Sequence, residues 1–313
     1  MIDKRSKIFL AGHNGMVGSS VLKLLKKKRY KNIFVTKKNK LNLLDQKKVF
    51  AFLKKLKPKQ VIIAAARAGG IFANSQYKAK FIYENLQIQS NLIHGSYLAG
   101  VKNLIFLGSS CIYPRNIKKK INEEDLLSSN LEITNDSYAI AKIAGLMMCR
   151  DYSKNFKLNF KALMPTNLYG PGDNYDVNNS HFYPALLKKI YLAKIKKKKI
   201  ITLWGSGSPK RELMYVDDLA DAIIYFMNKK FKDNYLNIGT GIDHTIKWYA
   251  KFISKKLNYS VKFKFDRKMP NGTKRKILNV TKAKKLGWIY KTSLDKGFEP
   301  TFKDFLLKKK NFT

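Results

Sequence analysis

The chain has 313 residues, with 63 Lys+Arg against 21 Asp+Glu and a formal net charge of +42. A hydrophobic fraction of 45% and an aromatic fraction of 12% are those of an ordinary globular protein, which excludes a disordered basic tail. No run of ~20 uncharged apolar residues is present to span a membrane, and two cysteines, Cys111 and Cys149, are too few for a disulfide framework and point to the reducing cytoplasm.

The first strand is expected at residues 7–11. It runs into a glycine loop after only the four apolar residues Ile8-Phe9-Leu10-Ala11 and offers no small-residue cleavage site, so it reads as a strand and not as a signal peptide. The loop is Gly12-His13-Asn14-Gly15-Met16-Val17-Gly18, followed by an apolar-faced helix at 19–28. Glycines at this spacing let the backbone turn sharply and approach a pyrophosphate, whose charge is favoured at a helix N-terminus. A second strand at 32–36 ends in Thr36-Lys37-Lys38-Asn39-Lys40, with no acid before Asp45. An acid there bonds the ribose 2′-hydroxyl of NAD, whereas lysines welcome the 2′-phosphate of NADP. NADP(H) is the expected cofactor, with Lys38 among its contacts.

A helix at 45–56, a strand at 60–66, a helix at 77–99 and a strand at 103–107 continue the alternation of a parallel sheet wrapped by helices. The strand at 103–107 leads to Gly108-Ser109-Ser110-Cys111-Ile112-Tyr113-Pro114. Behind Asn135-Asp136-Ser137, a good capping sequence, a helix at 137–155 opens with Tyr138 and Lys142. Their i, i+4 spacing places both side chains on one face. An ammonium beside the phenol is expected to lower its pKa, and the Ser109 hydroxyl can share a substrate carbonyl oxygen with it. A strand at 160–164 completes the first half. Past Tyr169-Gly170-Pro171-Gly172 the elements shorten, so 1–170 is expected to bind the dinucleotide and 171–313 mostly the substrate. The segment 235–239 is a candidate to return to the main sheet. The fold class is α/β: a Rossmann-type doubly wound parallel sheet with a smaller mixed α/β C-terminal substrate domain.

The order of glycine loop, strand-end Ser and Tyr-x-x-x-Lys resembles that of the extended short-chain dehydrogenase/reductases that act on nucleotide sugars. Within that family, the segments AGHNGMVGS, LGSSCIYP, YAIAKIAG, MPTNLYGPGDN, NSHFYPALL and WGSGSPKRELMYVDD are similar to those of the bifunctional 3,5-epimerase/4-reductases of GDP-4-keto-6-deoxy-D-mannose. The resemblance implies a catalytic set of Ser109, Cys111, Tyr138, Lys142 and His181. Cys111 and His181 would exchange protons at C3 and C5, where a thiol (reference pKa ~8.5) and an imidazole (~6.5) suit neutral pH. It also implies cofactor contacts from the glycine loop, Leu107, Gly108, Lys142, Pro165, Thr166, Asn167, Leu168 and His181. Substrate contacts would come from Lys189, Trp204, Arg211 and Asn271, and a homodimer would form through the helices at 77–99 and 137–155. Asn14 stands where the family can carry a basic residue for the 2′-phosphate, and Lys37, Lys38 or Lys40 would compensate.

The remaining histidines (His13, His94, His244) and Cys149 read as structural, and no cluster has metal-ligand spacing. A 4,6-dehydratase would need an acid pair where Ser110-Cys111 stands, and a simple 4-epimerase would need no Cys/His pair. A nucleic-acid-binding role is disfavoured because 55 of the basic residues are Lys and only 8 are Arg, the residue that reads bases through its planar fork. The charge reads as a solvated Lys-rich surface, and no membrane or specific nucleic-acid partner is expected.

Overall fold

The computed structural model describes residues 1–176, 180–231, 233–269 and 271–308. Its first half runs β1 (Ile8–Ala11), α1 (Met16–Lys27), β2 (Ile33–Phe34), α2 (Gln46–Leu56), β3 (Gln60–Ile63), α3 (Ile71–Gln76), α4 (Lys78–Leu98), β4 (Asn103–Leu107), α5 (Asp136–Phe156) and β5 (Asn159–Pro165). The second half runs β6 (Asn167–Tyr169), α6 (Phe182–Ile195), β7 (Ile200–Trp204), β8 (Lys210–Tyr215), α7 (Val216–Phe226) and β9 (Tyr235–Ile238). It ends with β10 (Asp243–Thr245), α8 (Ile246–Lys256), β11 (Lys262–Asp266), β12 (Arg275–Lys276), α9 (Thr281–Lys285) and α10 (Leu294–Lys308).

Six parallel strands form the main sheet in the order β2-β1-β3-β4-β5-β9. Alternate residues of each strand face opposite sides. Phe9, Val61, Phe106, Phe160 and Ala162 enter a core under α2, α4 and α5. Ile8, Leu10, Ile62, Ile105, Leu163, Leu236 and Ile238 enter another, under α1 and α7. The strands are buried on both faces, which explains their nearly unbroken apolar runs. The strand order reverses between β1 and β3, and open α/β sheets bind ligands in the crevice beyond the strand C-termini at such a point.

Three local expectations are corrected. The strand expected at 32–36 keeps only Ile33–Phe34, because it lies at the sheet edge and Phe34 and Val35 project to solvent. The strand at 60–66 stops at Ile63, and 64–70 leaves the sheet as an irregular wall before the unexpected short helix α3. Asn135 occupies the N-cap position of α5, but its side chain makes no capping bond.

A third core lies outside the main sheet. It is rich in aromatics, with Tyr169, Tyr183, Tyr215, Tyr249, Phe298 and Phe305 packed among α6, α8, α10 and β8. β8 pairs with β6, β10 and β12, and β7 pairs with β11. Within the second half, α7, β9 and α9 pack with the main sheet, as foreseen for 235–239, while residues of α6, β7, β8 and β12 enclose a cavity against it.

Candidate active site

A cavity of about 420 Å³ lies between the C-terminal edge of the main sheet and the second-half elements. Its floor begins at the glycine turn. Gly12 has φ +90, and a Cβ there would lie 2.5 Å from Ala65 N, so the β1 turn and the 64–70 wall approach too closely for any side chain. Gly15 caps α1 without a side chain and no acid occupies the first helical turn, which leaves the helix N-terminus free to face an anion. These features fit a dinucleotide pyrophosphate. Met16, Val17, Leu107, Gly108, Pro165, Thr166, Asn167 and Leu168 line the cavity. Gly12, Gly15, Gly18, the half-buried His13 and the exposed Asn14 build the turn at its end without lining it. Lys38 is exposed in the turn after β2, where Lys40 N donates to Lys37 O, and it does not line the cavity either.

The candidate catalytic groups come from the end of β4 and the turn after it, from α5 and from α6. Ser109 follows β4, and its Oγ accepts from Cys111 N at 3.1 Å, closing the short turn Ser110–Ile112 that turns Cys111 towards the cavity. Tyr113, two residues on, is anchored by its hydroxyl donating to Asn237 Oδ1 at 2.6 Å. Tyr138 on α5 is half-buried, with its phenol hydrogen-bonded to the Ser109 side chain. Lys142, one turn along, is buried and donates to Leu107 O at 2.8 Å, with its Nζ 5.8 Å from the Tyr138 ring centre. His181 stands at the N-terminus of α6 with its ring open to the cavity.

The expected lowering of the Tyr138 pKa by Lys142 is reversed in this structure. Burial pushes the phenol well above its usual range, with the neighbouring Cys111 adding to the rise and the Ser109 bond opposing it. Burial likewise brings Lys142 down to about 7. Lys142 faces a carbonyl and not an acid, so desolvation outweighs attraction at both groups. Tyr138 is therefore a protonated acid at neutral pH, the form that delivers a proton. Burial, reinforced by the positive charge of Lys276, holds the His181 imidazolium below its ordinary range.

On the opposite wall, Arg211 on β8 donates to Thr273 O at 2.6 Å and Lys210 O at 2.8 Å, and to Asn271 O at 3.4 Å. Among the described residues no carboxylate forms an ion pair with it, so its charge remains available to an anionic ligand. Lys189 of α6 and the half-exposed Trp204 at the end of β7 line the same wall. Asn271 lines it too, although its Oδ1 accepts from Ser206 N at 2.8 Å and Ser206 Oγ at 3.0 Å. Asn179 of the NSHFYPALL segment lies outside the described residues.

Two of the lining residues that contact Cys111 are not expected at the site from the sequence: Lys276 is not singled out by it, and Asn135 reads only as a helix cap. Lys276 on β12 sits beside Arg211 in register, and its Nζ is 3.5 Å from Cys111 Sγ. Asn135 Nδ2 is 3.4 Å from the same sulfur. Lys276 ends the run Asn271-Gly272-Thr273-Lys274-Arg275-Lys276, and nothing local marks which of its three basic residues reaches Cys111. His94, bonded to Tyr152 at 2.7 Å, and His244, stacked on Trp248, have structural contacts, and Cys149 is fully buried. Among the described residues no group of His, Cys, Asp and Glu can hold a metal, and no helix is long and apolar enough to cross a membrane.

A glycine turn at the head of a parallel sheet, a strand-end Ser and a Tyr/Lys pair on one helix face, all opening on one cavity, define a nicotinamide-dependent short-chain dehydrogenase/reductase of the extended type. The chain belongs to the NAD dependent epimerase/dehydratase family, whose model matches residues 8–239. It is 41% identical over 317 residues to GDP-L-fucose synthase of Escherichia coli K12, covering 98% of this chain and 99% of that one. It is 44% identical over 308 residues to GDP-L-fucose synthase 1 of Arabidopsis thaliana, with 98% and 95% covered. A GDP-L-fucose synthetase of Naegleria fowleri, solved bound to NADP, superposes with a TM-score of 0.88 at 26% identity over 99% of this chain and 97% of that one.

Proposed function

We propose that this chain converts GDP-4-keto-6-deoxy-D-mannose to GDP-L-fucose, epimerising C3 and C5 and then reducing C4 with NADPH. The observation that carries this reading is the meeting of Cys111 and His181 with Ser109 and Tyr138 on one cavity, supported by relatives that match nearly the whole chain.

C3 and C5 both flank the C4 ketone. A base removes one of these protons, the C–H electron pair forms a C=C bond, and the carbonyl π electrons move to O4 as an enolate. Ser109 and Tyr138 hold that oxygen by hydrogen bonds. Cys111 and His181 take and return protons around the ring, and return on the opposite face inverts the carbon. NADPH, when bound, supplies the hydride that reduces C4. Tyr138 then gives its phenolic proton to O4, so one oxygen site serves both reactions. Lys142 holds the nicotinamide ribose together with the Leu107 carbonyl, and Pro165 to Leu168 and the glycine turn hold the rest of the dinucleotide, with Lys38 reaching its 2′-phosphate. Lys189 and Arg211 neutralise the substrate diphosphate, Trp204 offers an indole face, and Asn271 closes the same wall through the Ser206 turn.

In this reading residues 1–170 bind the cofactor and 171–313 mostly the sugar nucleotide, in a cytoplasmic homodimer. The exposed apolar side chains Tyr83 and Leu98 on α4, with Ile140 and Phe156 on α5, support pairing through those two helices.

The purified protein should oxidise NADPH when given GDP-4-keto-6-deoxy-D-mannose and should form GDP-L-fucose. In deuterated water, label should enter C3 and C5, and Cys111→Ser should reduce that exchange. Turnover of a UDP-sugar with no NADPH oxidation on the GDP-sugar would overturn the assignment.

A further inference from the structure

Asn135 opens α5 three residues before Tyr138 and occupies the N-cap position. An Asn there ordinarily turns its oxygen onto a first-turn N–H. This one makes no capping bond, and its Nδ2 lies 3.4 Å from Cys111 Sγ, 24 residues away in the chain. Its Oδ1 is buried without a hydrogen-bond partner among the described residues, and the residue lines the cavity. Buried polar atoms without partners are rare in a folded protein and call for an explanation. Here a helix cap has been exchanged for a contact with the sulfur, which accounts for the uncapped oxygen.

We infer that Asn135 is the positioning residue of Cys111: its amide N–H holds the sulfur at the cavity and favours the thiolate. The inference rests on the epimerase role of Cys111 given above. It links the two chemistries mechanically, since the helix that carries the reductive acid Tyr138 also orients the epimerising sulfur.

The surroundings of Cys111 make the amide's share separable. Lys276 from β12 is the second donor at 3.5 Å, and Arg211 from β8 adds a positive charge. Tyr138 from α5 is the neighbouring neutral acid, Ser109 binds the Cys111 backbone, and His181 faces Lys276 from the start of α6. Asn135 is the uncharged donor among these, so its removal changes hydrogen bonding without changing the site's charge.

The test is the pH dependence of Cys111 alkylation by iodoacetamide in the full-length protein, read on the Cys111 peptide by mass spectrometry. The other cysteine, Cys149, is fully buried. The thiolate is the reacting form, so loss of its amide donor in Asn135→Ala should raise the alkylation midpoint by about one pH unit. Asn135→Asp keeps size and Oδ1 but replaces the donor with a repelling charge, and should raise it further. Deuterium entry at C3 and C5 should fall about tenfold in Asn135→Ala, with KM for NADPH unchanged. An unchanged midpoint in Asn135→Ala, or a midpoint in Asn135→Asp at or below the wild type, overturns the inference. If Asn135→Ala does not fold, the near-isosteric Asn135→Asp decides. Wild-type protein that fails to turn over the GDP-sugar would count against the proposed function, while the alkylation comparison would still decide the role of Asn135.

Discussion

Burying an ammonium without a counter-ion is costly, and Lys142 shows how large that cost is. Its side chain is 3% exposed and meets one carbonyl, and its pKa stands at about 7. Between pH 7 and the ordinary lysine range the unfolded chain binds the proton that the folded chain has released, so this group's contribution to stability rises with pH across that window. At neutral pH the burden outweighs the ~1 kcal/mol that one hydrogen bond returns. Lys142→Met should therefore stabilise the fold by about 2 kcal/mol at pH 7, with the gain shrinking towards pH 10, as urea titrations at several pH values would show. The same variant should lose most reductase activity, which is the usual relation between a strained functional group and stability. Tyr138 is the converse case. Its raised pKa keeps the phenol protonated through the physiological range, so reduction should not depend on its ionisation below about pH 9. Tyr138→Phe should cut the reduction rate about 10³-fold with little change in KM, since the lost interaction belongs to the transition state. A fall of less than tenfold in stopped-flow reduction would remove Tyr138 as the acid.

Elements that are unremarkable by themselves are held in working order by one buried carboxylate. Glu212 of β8 is 0% exposed. Its Oε1 accepts from Thr240 N and from Gly241 N at 2.8 Å, in the turn between β9 and β10. Its Oε2 accepts from Leu278 N at 2.8 Å, just past β12, and its backbone O accepts from Thr166 Oγ1 and Asn167 Nδ2. One residue thus ties the main sheet's last strand, the strand that carries Lys276 and the segment between β5 and β6. Glu212→Ala should cost about 3–5 kcal/mol in chemical denaturation, because it leaves several buried N–H groups without an acceptor. A loss below 1 kcal/mol would show that water replaces the carboxylate. This arrangement also marks where sequence reading stops. The strands Ile8–Ala11 and Asn103–Leu107 and the Ser109, Tyr138, Lys142 pattern are written in local runs and spacings, and the structure places them as read. β11 (KFKFD) and the two-residue β12 carry little signal, because each exists only through a partner brought from elsewhere in the chain. For the same reason the contacts of Lys276 and Asn135 with Cys111 are not legible, since they span 165 and 24 residues. The reversed Tyr138 and Lys142 pKa values have a similar origin: helical spacing gives their proximity, while burial depends on everything packed around them.

At the scale of the whole molecule, the +42 charge acts in opposite directions on binding and on stability. Among the described residues the cavity wall holds Lys142, Lys189, Arg211 and Lys276 against one acid, Glu132, and both proposed ligands are anionic. Elsewhere lysines cluster in last helical turns, as in α1, α2 and α8, where they complement the helix dipole. Added salt screens the attraction that draws ligands in, with a Debye length near 10 Å at 0.1 M falling to about 3 Å at 1 M. Raising NaCl from about 20 to 300 mM should therefore increase KM for both NADPH and the GDP-sugar several-fold and leave kcat nearly constant, since ground-state and transition-state binding are weakened alike. The same salt screens lysine–lysine repulsion across a surface with few acids, so the thermal midpoint should rise by several degrees over that range. The two trends must appear together. A KM independent of salt would mean that only the buried wall cations act on the ligands. A thermal midpoint that falls with salt would mean that the surface ion pairs, such as Lys282 with Glu124 and Asp233, outweigh the repulsion around them.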